Sequence, residues 1–114
     1  MKMVRRCSVV ASVGLLLVAT AAAAVELSGK QTRGVAGRDA RREGQAITLK
    51  KTMTIRGCSG EHMDGFWLEN DDGKIVRYES CNAAKNKNVP AGTWWVVPNL
   101  QKNADTASVK LDLS

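Results

Sequence analysis

Gly65-Phe66-Trp67-Leu68-Glu69-Asn70-Asp71-Asp72-Gly73-Lys74-Ile75-Val76-Arg77-Tyr78-Glu79-Ser80 decides the fold class. Phe66 and Leu68 alternate with Trp67 and Glu69. That period of two sends successive side chains to opposite faces of a strand. Asn-Asp-Asp-Gly at residues 70–73 is a turn signal, because these residues tolerate tight backbone conformations. Residues 75–80 then read as the return strand of a hairpin.

The same period recurs on both sides. In residues 47–56, Ile47, Leu49, Met53 and Ile55 point one way and Thr48, Lys50, Thr52, Thr54 and Arg56 the other. Lys51 interrupts the apolar side, which predicts an edge or strand end there. Val89-Pro90-Ala91-Gly92 is a second turn, and residues 93–97 are rich in β-branched and aromatic side chains. Pro98-Asn99 is read as the end of that strand. Ala107, Val109, Leu111 and Leu113 alternate with Ser108, Lys110 and Asp112 in a last strand, and residues 25–28 supply a first one. Residues 29–45, with four glycines and five basic residues, read as a loop with room for one short strand inside it. No apolar pattern at helical spacing persists beyond residue 25. Six to eight short strands at roughly ten-residue spacing predict an all-β sandwich or small barrel.

Residues 65–76 and the stretch Val89-Pro90-Ala91-Gly92-Thr93-Trp94-Trp95-Val96-Val97 resemble the paired-strand and aromatic-strand portions of bacterial pre-peptidase C-terminal domains. Residues 106–113 are similar to that family's closing strand, so the resemblance covers residues 45–113. It implies a jelly-roll-like sandwich used as an accessory or substrate-binding module beside secreted proteases. The chain departs from that pattern in having no protease domain and in carrying a cysteine pair. The fold carries over more readily than the function.

The chain has 114 residues, 17 Lys and Arg against 11 Asp and Glu, and three cysteines. That length allows one domain and excludes folds of 200 residues or more. Lys2, Arg5 and Arg6 precede an apolar run that ends in Ala-Thr-Ala-Ala-Ala-Ala at residues 19–24. A basic start, a short apolar stretch and small residues at the cut describe a secretory signal peptide, residues 1–24, cleaved after Ala24. Cys7 precedes the apolar run, so no lipid anchor is expected, and no stable membrane anchor after cleavage. The expected mature domain, residues 25–114, has 14 basic and 11 acidic residues, net +3. Its cysteines, Cys58 and Cys81, read as one disulfide in an oxidising compartment, periplasmic or extracellular. Nucleic acid is not an expected partner there.

Three clusters are candidate sites. Trp94 and Trp95 are adjacent on one strand, so one enters the core and the other faces out. Trp67 lies opposite the Phe66 and Leu68 side. If Trp67 shares a face with one of that pair, an exposed aromatic strip forms beside Tyr78, suited to sugar rings or a partner protein. Residues 25–56 carry eight basic and three acidic residues, with Arg38, Arg41 and Arg42 at their centre, against a net −2 for residues 57–114. This charge asymmetry favours an anionic partner. Glu61, His62, Met63 and Asp64 offer metal-ligand atoms, but four consecutive residues do not easily converge on one ion, so no metal and no cofactor is expected. No nucleophile motif is present. The expected function is a small exported, non-enzymatic binding protein for a glycan or a protein. Alternatives are an inhibitor or immunity-type protein against a secreted enzyme, or an envelope or virulence-associated structural subunit.

Overall fold

The computed structural model describes residues 24–35 and 44–114. Eight strands are found there. They are β1 (Val25–Thr32), β2 (Ile47–Leu49), β3 (Met53–Glu61), β4 (Met63–Asn70), β5 (Ile75–Tyr78), β6 (Asn88–Val89), β7 (Gly92–Leu100) and β8 (Thr106–Leu113). One short helix, α1 (Cys81–Ala84), follows β5, and the Ser80 hydroxyl caps it by accepting from the Ala83 amide. The strands form two four-stranded antiparallel sheets, ordered β1-β8-β3-β6 (sheet I) and β2-β7-β4-β5 (sheet II).

The pairs β1 with β8, β2 with β7, β3 with β6 and β4 with β5 are those of one long antiparallel ribbon, folded at the β4–β5 turn. Wound into two layers, that ribbon is an eight-stranded jelly roll. The turn at its tip is a three-residue hairpin loop. The Gly73 amide donates to the Asn70 carbonyl and the Asn70 amide to that of Lys74. Gly73 takes a φ of 88°, the left-handed position that closes such a loop.

Period two carries straight into packing. Leu27, Ile55, Phe66, Leu68, Trp94, Val96 and Leu111 point between the sheets and form one buried cluster. The interruption at Lys51 is a crossing. Residues 47–49 belong to sheet II and residues 53–61 to sheet I, while all four predicted apolar side chains stay in or against the core.

Several boundaries differ from the sequence reading. β1 continues through residues 29–32, because Gly29 and Lys30 pair with Val109 and Ser108. β7 runs through Pro98 to Leu100. Pro98 lies opposite Phe66 in a non-hydrogen-bonded pair, so its nitrogen faces away from β4, beyond the end of β2, and the missing N–H costs no ladder bond. Residues 58–65 are strand except at His62, whose φ of 58° makes the reversal between β3 and β4.

Two contacts close the sandwich. On one side β1 lies directly on β7. A Cβ on Gly29 would fall 1.8 Å from the Val96 carbonyl oxygen, so only glycine lets the two backbones approach this closely. On the other side the disulfide Cys58–Cys81 joins β3 of sheet I to the segment leaving β5 of sheet II, with Cα atoms 5.3 Å apart.

Gly29→Ala is expected to cost about 3 kcal/mol or more, since backbone rather than a flexible side chain occupies the space. Denaturant unfolding with an unchanged m-value checks this. Replacing Cys58 and Cys81 by serine together is expected to cost about 3 kcal/mol, the closure entropy of a loop of this length. Thermal unfolding of the double variant should shift down by about 10–20 °C.

Candidate functional site

The outward faces of the two sheets are chemically different. Sheet I presents Glu26, Ser28 and Lys30 on β1, Ser108, Lys110 and Asp112 on β8, and Ser59 and Glu61 on β3. Lys110 pairs with Glu26 at 3.3 Å, and the Thr54 hydroxyl donates to Asn88 Oδ1 at 2.9 Å. This is the polar, solvated face expected of a half-buried antiparallel sheet.

Sheet II departs from that rule. The ladder aligns two rows across its outer face, Trp95–Glu69–Ile75 and Val97–Trp67–Arg77. Trp67 faces Val97 directly, and Trp95 lies two residues before Val97. The two indoles are therefore diagonal neighbours on adjacent strands, with Cα atoms about 7–8 Å apart. Both are partly exposed. Val97, outside the core cluster, is only 1% exposed, whereas Ile75 at 45% is the one exposed large apolar side chain among the described residues. The Arg77 guanidinium lies 5.3 Å from the centroid of the Trp67 ring, within cation–π range, and occupies one side of that indole. At the end of the face, the Thr48 and Thr93 hydroxyls hydrogen-bond at 2.9 Å.

Trp94 is the inward member of its pair. It is 2% exposed, packs opposite Ile47, and its indole N–H donates to the Pro90 carbonyl at 2.9 Å. It belongs to the core and is not available as a contact residue. Tyr78 also departs from the sequence expectation. Its partner across the hairpin is Phe66, so it shares the inner parity, with ring centroids 5.3 Å apart. Desolvation by burial pushes its phenol above its ordinary value. Tyr78 thus stands on the face opposite Trp67, and the strip is completed by Ile75 and Arg77 instead.

The basic segment does not gather into one patch among the described residues. Arg33 is a structural clamp. Its guanidinium donates to the carbonyls of Lys102 and Ala104 at 2.5 Å and more weakly to that of Gln101, with Asp105 at 3.8 Å. Lys30 lies at the same end of the sandwich. Arg56 lies at the other, beside Ser114. Arg38, Arg41 and Arg42 lie outside the described residues, as does the signal-type segment up to residue 23.

A shallow groove of about 530 Å³ runs beside the disulfide, lined by Cys58, His62, Asp64, Glu79 and Cys81 among others. Both its sulfurs are oxidised. Among the described residues, no three His, Cys, Asp or Glu side chains converge as metal ligands, and no helix is long and apolar enough to cross a membrane. No family model matches the chain, and neither a curated protein nor a solved structure does.

Arg33→Ala is expected to cost about 1–2 kcal/mol, and Arg33→Lys to recover little, because one ammonium cannot fork onto several carbonyls. Faster amide exchange at residues 101–105 in both variants, with the sheets unchanged, is the expected signature.

Proposed function

We propose that this chain is an exported, non-enzymatic binding protein that engages a partner protein through the outer face of sheet II. The observation that carries this reading is the contrast between the two outer faces. Sheet I is covered by charges and hydroxyls. Sheet II partly exposes Trp67 and Trp95 and exposes Ile75, with Glu69 and Arg77 among them. Trp and Arg surrounded by aliphatic side chains are the composition of interface hot spots. Aromatic and aliphatic side chains left partly open on a sheet face, with no role in the core, are surface that a partner would cover.

Export is supported by the basic-apolar-alanine pattern of residues 1–24 and by the inter-sheet disulfide. β1 begins at Val25, immediately after the expected cut, and pairs along its whole length with β8. A protein rather than a glycan is favoured by Arg77. A sugar ring stacks on a free indole face, and one side of Trp67 is already taken by the guanidinium. The inhibitor and immunity-type readings are special cases of the same surface, the partner then being an enzyme.

The test uses affinity capture from envelope and culture-fluid fractions, followed by titration of the captured protein. Trp67→Ala is expected to weaken binding about 30-fold or more, the loss typical of a hot-spot tryptophan. Lys110→Ala on sheet I is expected to leave it unchanged. A tryptophan emission shift with soluble oligosaccharides, and no captured protein sensitive to Trp67→Ala, would transfer the reading to a glycan.

A further inference from the structure

Aspartate followed by glycine occurs twice among the described residues, at Asp64–Gly65 and at Asp72–Gly73, and both aspartates are exposed. An aspartyl side chain can react with the main chain that follows it. The next amide nitrogen attacks Cγ and forms an N–Cγ bond. The Cγ–O bond breaks, and the hydroxyl leaves with the amide proton as water. Water then opens the resulting five-membered imide at either carbonyl. Cleavage of N–Cγ returns aspartate. Cleavage of the original peptide bond leaves isoaspartate, whose main chain runs through Cβ and Cγ. One water leaves and one returns, so no other reactant is needed. Glycine obstructs the attack least, because it has no Cβ beside the nitrogen and the widest range of φ.

The fold treats the two sites differently. Asp64 and Gly65 lie within β4, and Gly65 is buried. A Cβ on Gly65 would fall 2.6 Å from the Tyr78 carbonyl oxygen and 3.1 Å from that of Glu79, so its backbone is packed against the segment leaving β5. The Asp64 carbonyl accepts from Asn99 Nδ2 at 3.0 Å. This peptide is held on both sides, and closing the imide would turn it out of the sheet. Asp72 and Gly73 lie instead in the hairpin loop, outside the β4–β5 ladder. Nothing comes within 4 Å of a Cβ built on Gly73. Two bonds hold the pair, from the Gly73 amide to the Asn70 carbonyl and from the Asp72 amide to Asn70 Oδ1, both at 3.0 Å. Bonds of this kind in an exposed loop open locally at little free energy, without unfolding the sheets.

We propose that Asp72 is a site of spontaneous isomerisation in the folded protein, and that the fold protects Asp64 from the same reaction. The isoaspartyl link adds a methylene to the main chain of a loop whose length sets Asn70 opposite Lys74. The Lys74 amide donates to Asn70 Oδ1 at 2.8 Å and the Asn70 amide to the Lys74 carbonyl at 3.0 Å. A longer loop loosens both bonds. Ile75, the next residue, ends the row Trp95–Glu69–Ile75, so the change enters sheet II at the margin of its outer face. None of this depends on the partner proposed above.

Ageing the folded protein for several weeks near neutral pH at physiological temperature tests it. Peptide mapping with a protease that cuts before aspartate but not before isoaspartate reads each site separately. The folded wild type is expected to accumulate isoaspartate at residue 72 and none at residue 64. The same chain, reduced and unfolded in guanidinium, is expected to accumulate it at both. Asp72→Glu, an exposed change in the loop, is expected to abolish the signal at residue 72, because the longer side chain would have to close a six-membered ring. In the isolated isoaspartyl form, the Asn70 and Lys74 amides are expected to exchange faster than in the unaged protein. No isoaspartate at residue 72 of the folded chain, or as much at residue 64 as at residue 72, overturns the proposal. Unchanged exchange at Asn70 and Lys74 would refute the effect on the hairpin.

Discussion

Burial of the Trp94 indole is the constraint on which the two faces of sheet II depend. The ring fills the space opposite Ile47, and its N–H is satisfied by the Pro90 carbonyl four residues back. A strand has a side-chain period of two, so fixing Trp94 inward fixes Trp95 and Val97 outward. The β4 ladder then hands the same parity to Trp67 and Glu69, and β5 hands it to Ile75 and Arg77. A one-residue slip would send Trp95 into the core and strip the outer face of its aromatic character. Core packing and the candidate surface are two consequences of one register.

That register is held by contacts far apart in sequence. β1 touches β7 through Gly29, and the disulfide joins β3 to the end of β5. Both join one sheet to the other, and they stand on opposite sides of the core. A small domain has little buried area to spend on rigidity, so such closures matter more than in a large one. They also serve the surface. Trp67 and Trp95 sit on strands rather than loops, and a contact built on paired strands loses little conformational entropy when a partner docks.

Much of this was legible in the residues, and the failures have physical causes. Alternation alone located the core side of residues 47–55, the hairpin at residues 70–73, and the division of labour between adjacent tryptophans. The cysteine pairing was readable from the even pair, Cys58 and Cys81, that remains after the expected signal segment. Tyr78 was misplaced because its face depends on the count through the turn. Three loop residues between Asn70 and Lys74 set Phe66, rather than Trp67, opposite it. Arg33 looked like part of a charged surface because its carbonyl partners lie about seventy residues away, where no local pattern records them. Pro98 looked like a strand end because the side its nitrogen faces is set by ladder parity, which is fixed at the distant β4–β5 hairpin. The two antiparallel sheets are the all-β sandwich that the strand spacing predicted. The ligand was not legible, since a face made of Trp, Glu, Ile and Arg does not name what would dock on it.

Fluorine NMR of protein labelled with 5-fluorotryptophan tests the central claim most directly, because it reports each indole separately. The account predicts three resonances. That of Trp94 is insensitive to exchange of light for heavy water and to added partner. Those of Trp67 and Trp95, assigned by single Trp→Phe variants, respond to both. A solvent-responsive Trp94, or Trp67 and Trp95 resonances unmoved when the captured partner is added, would contradict it.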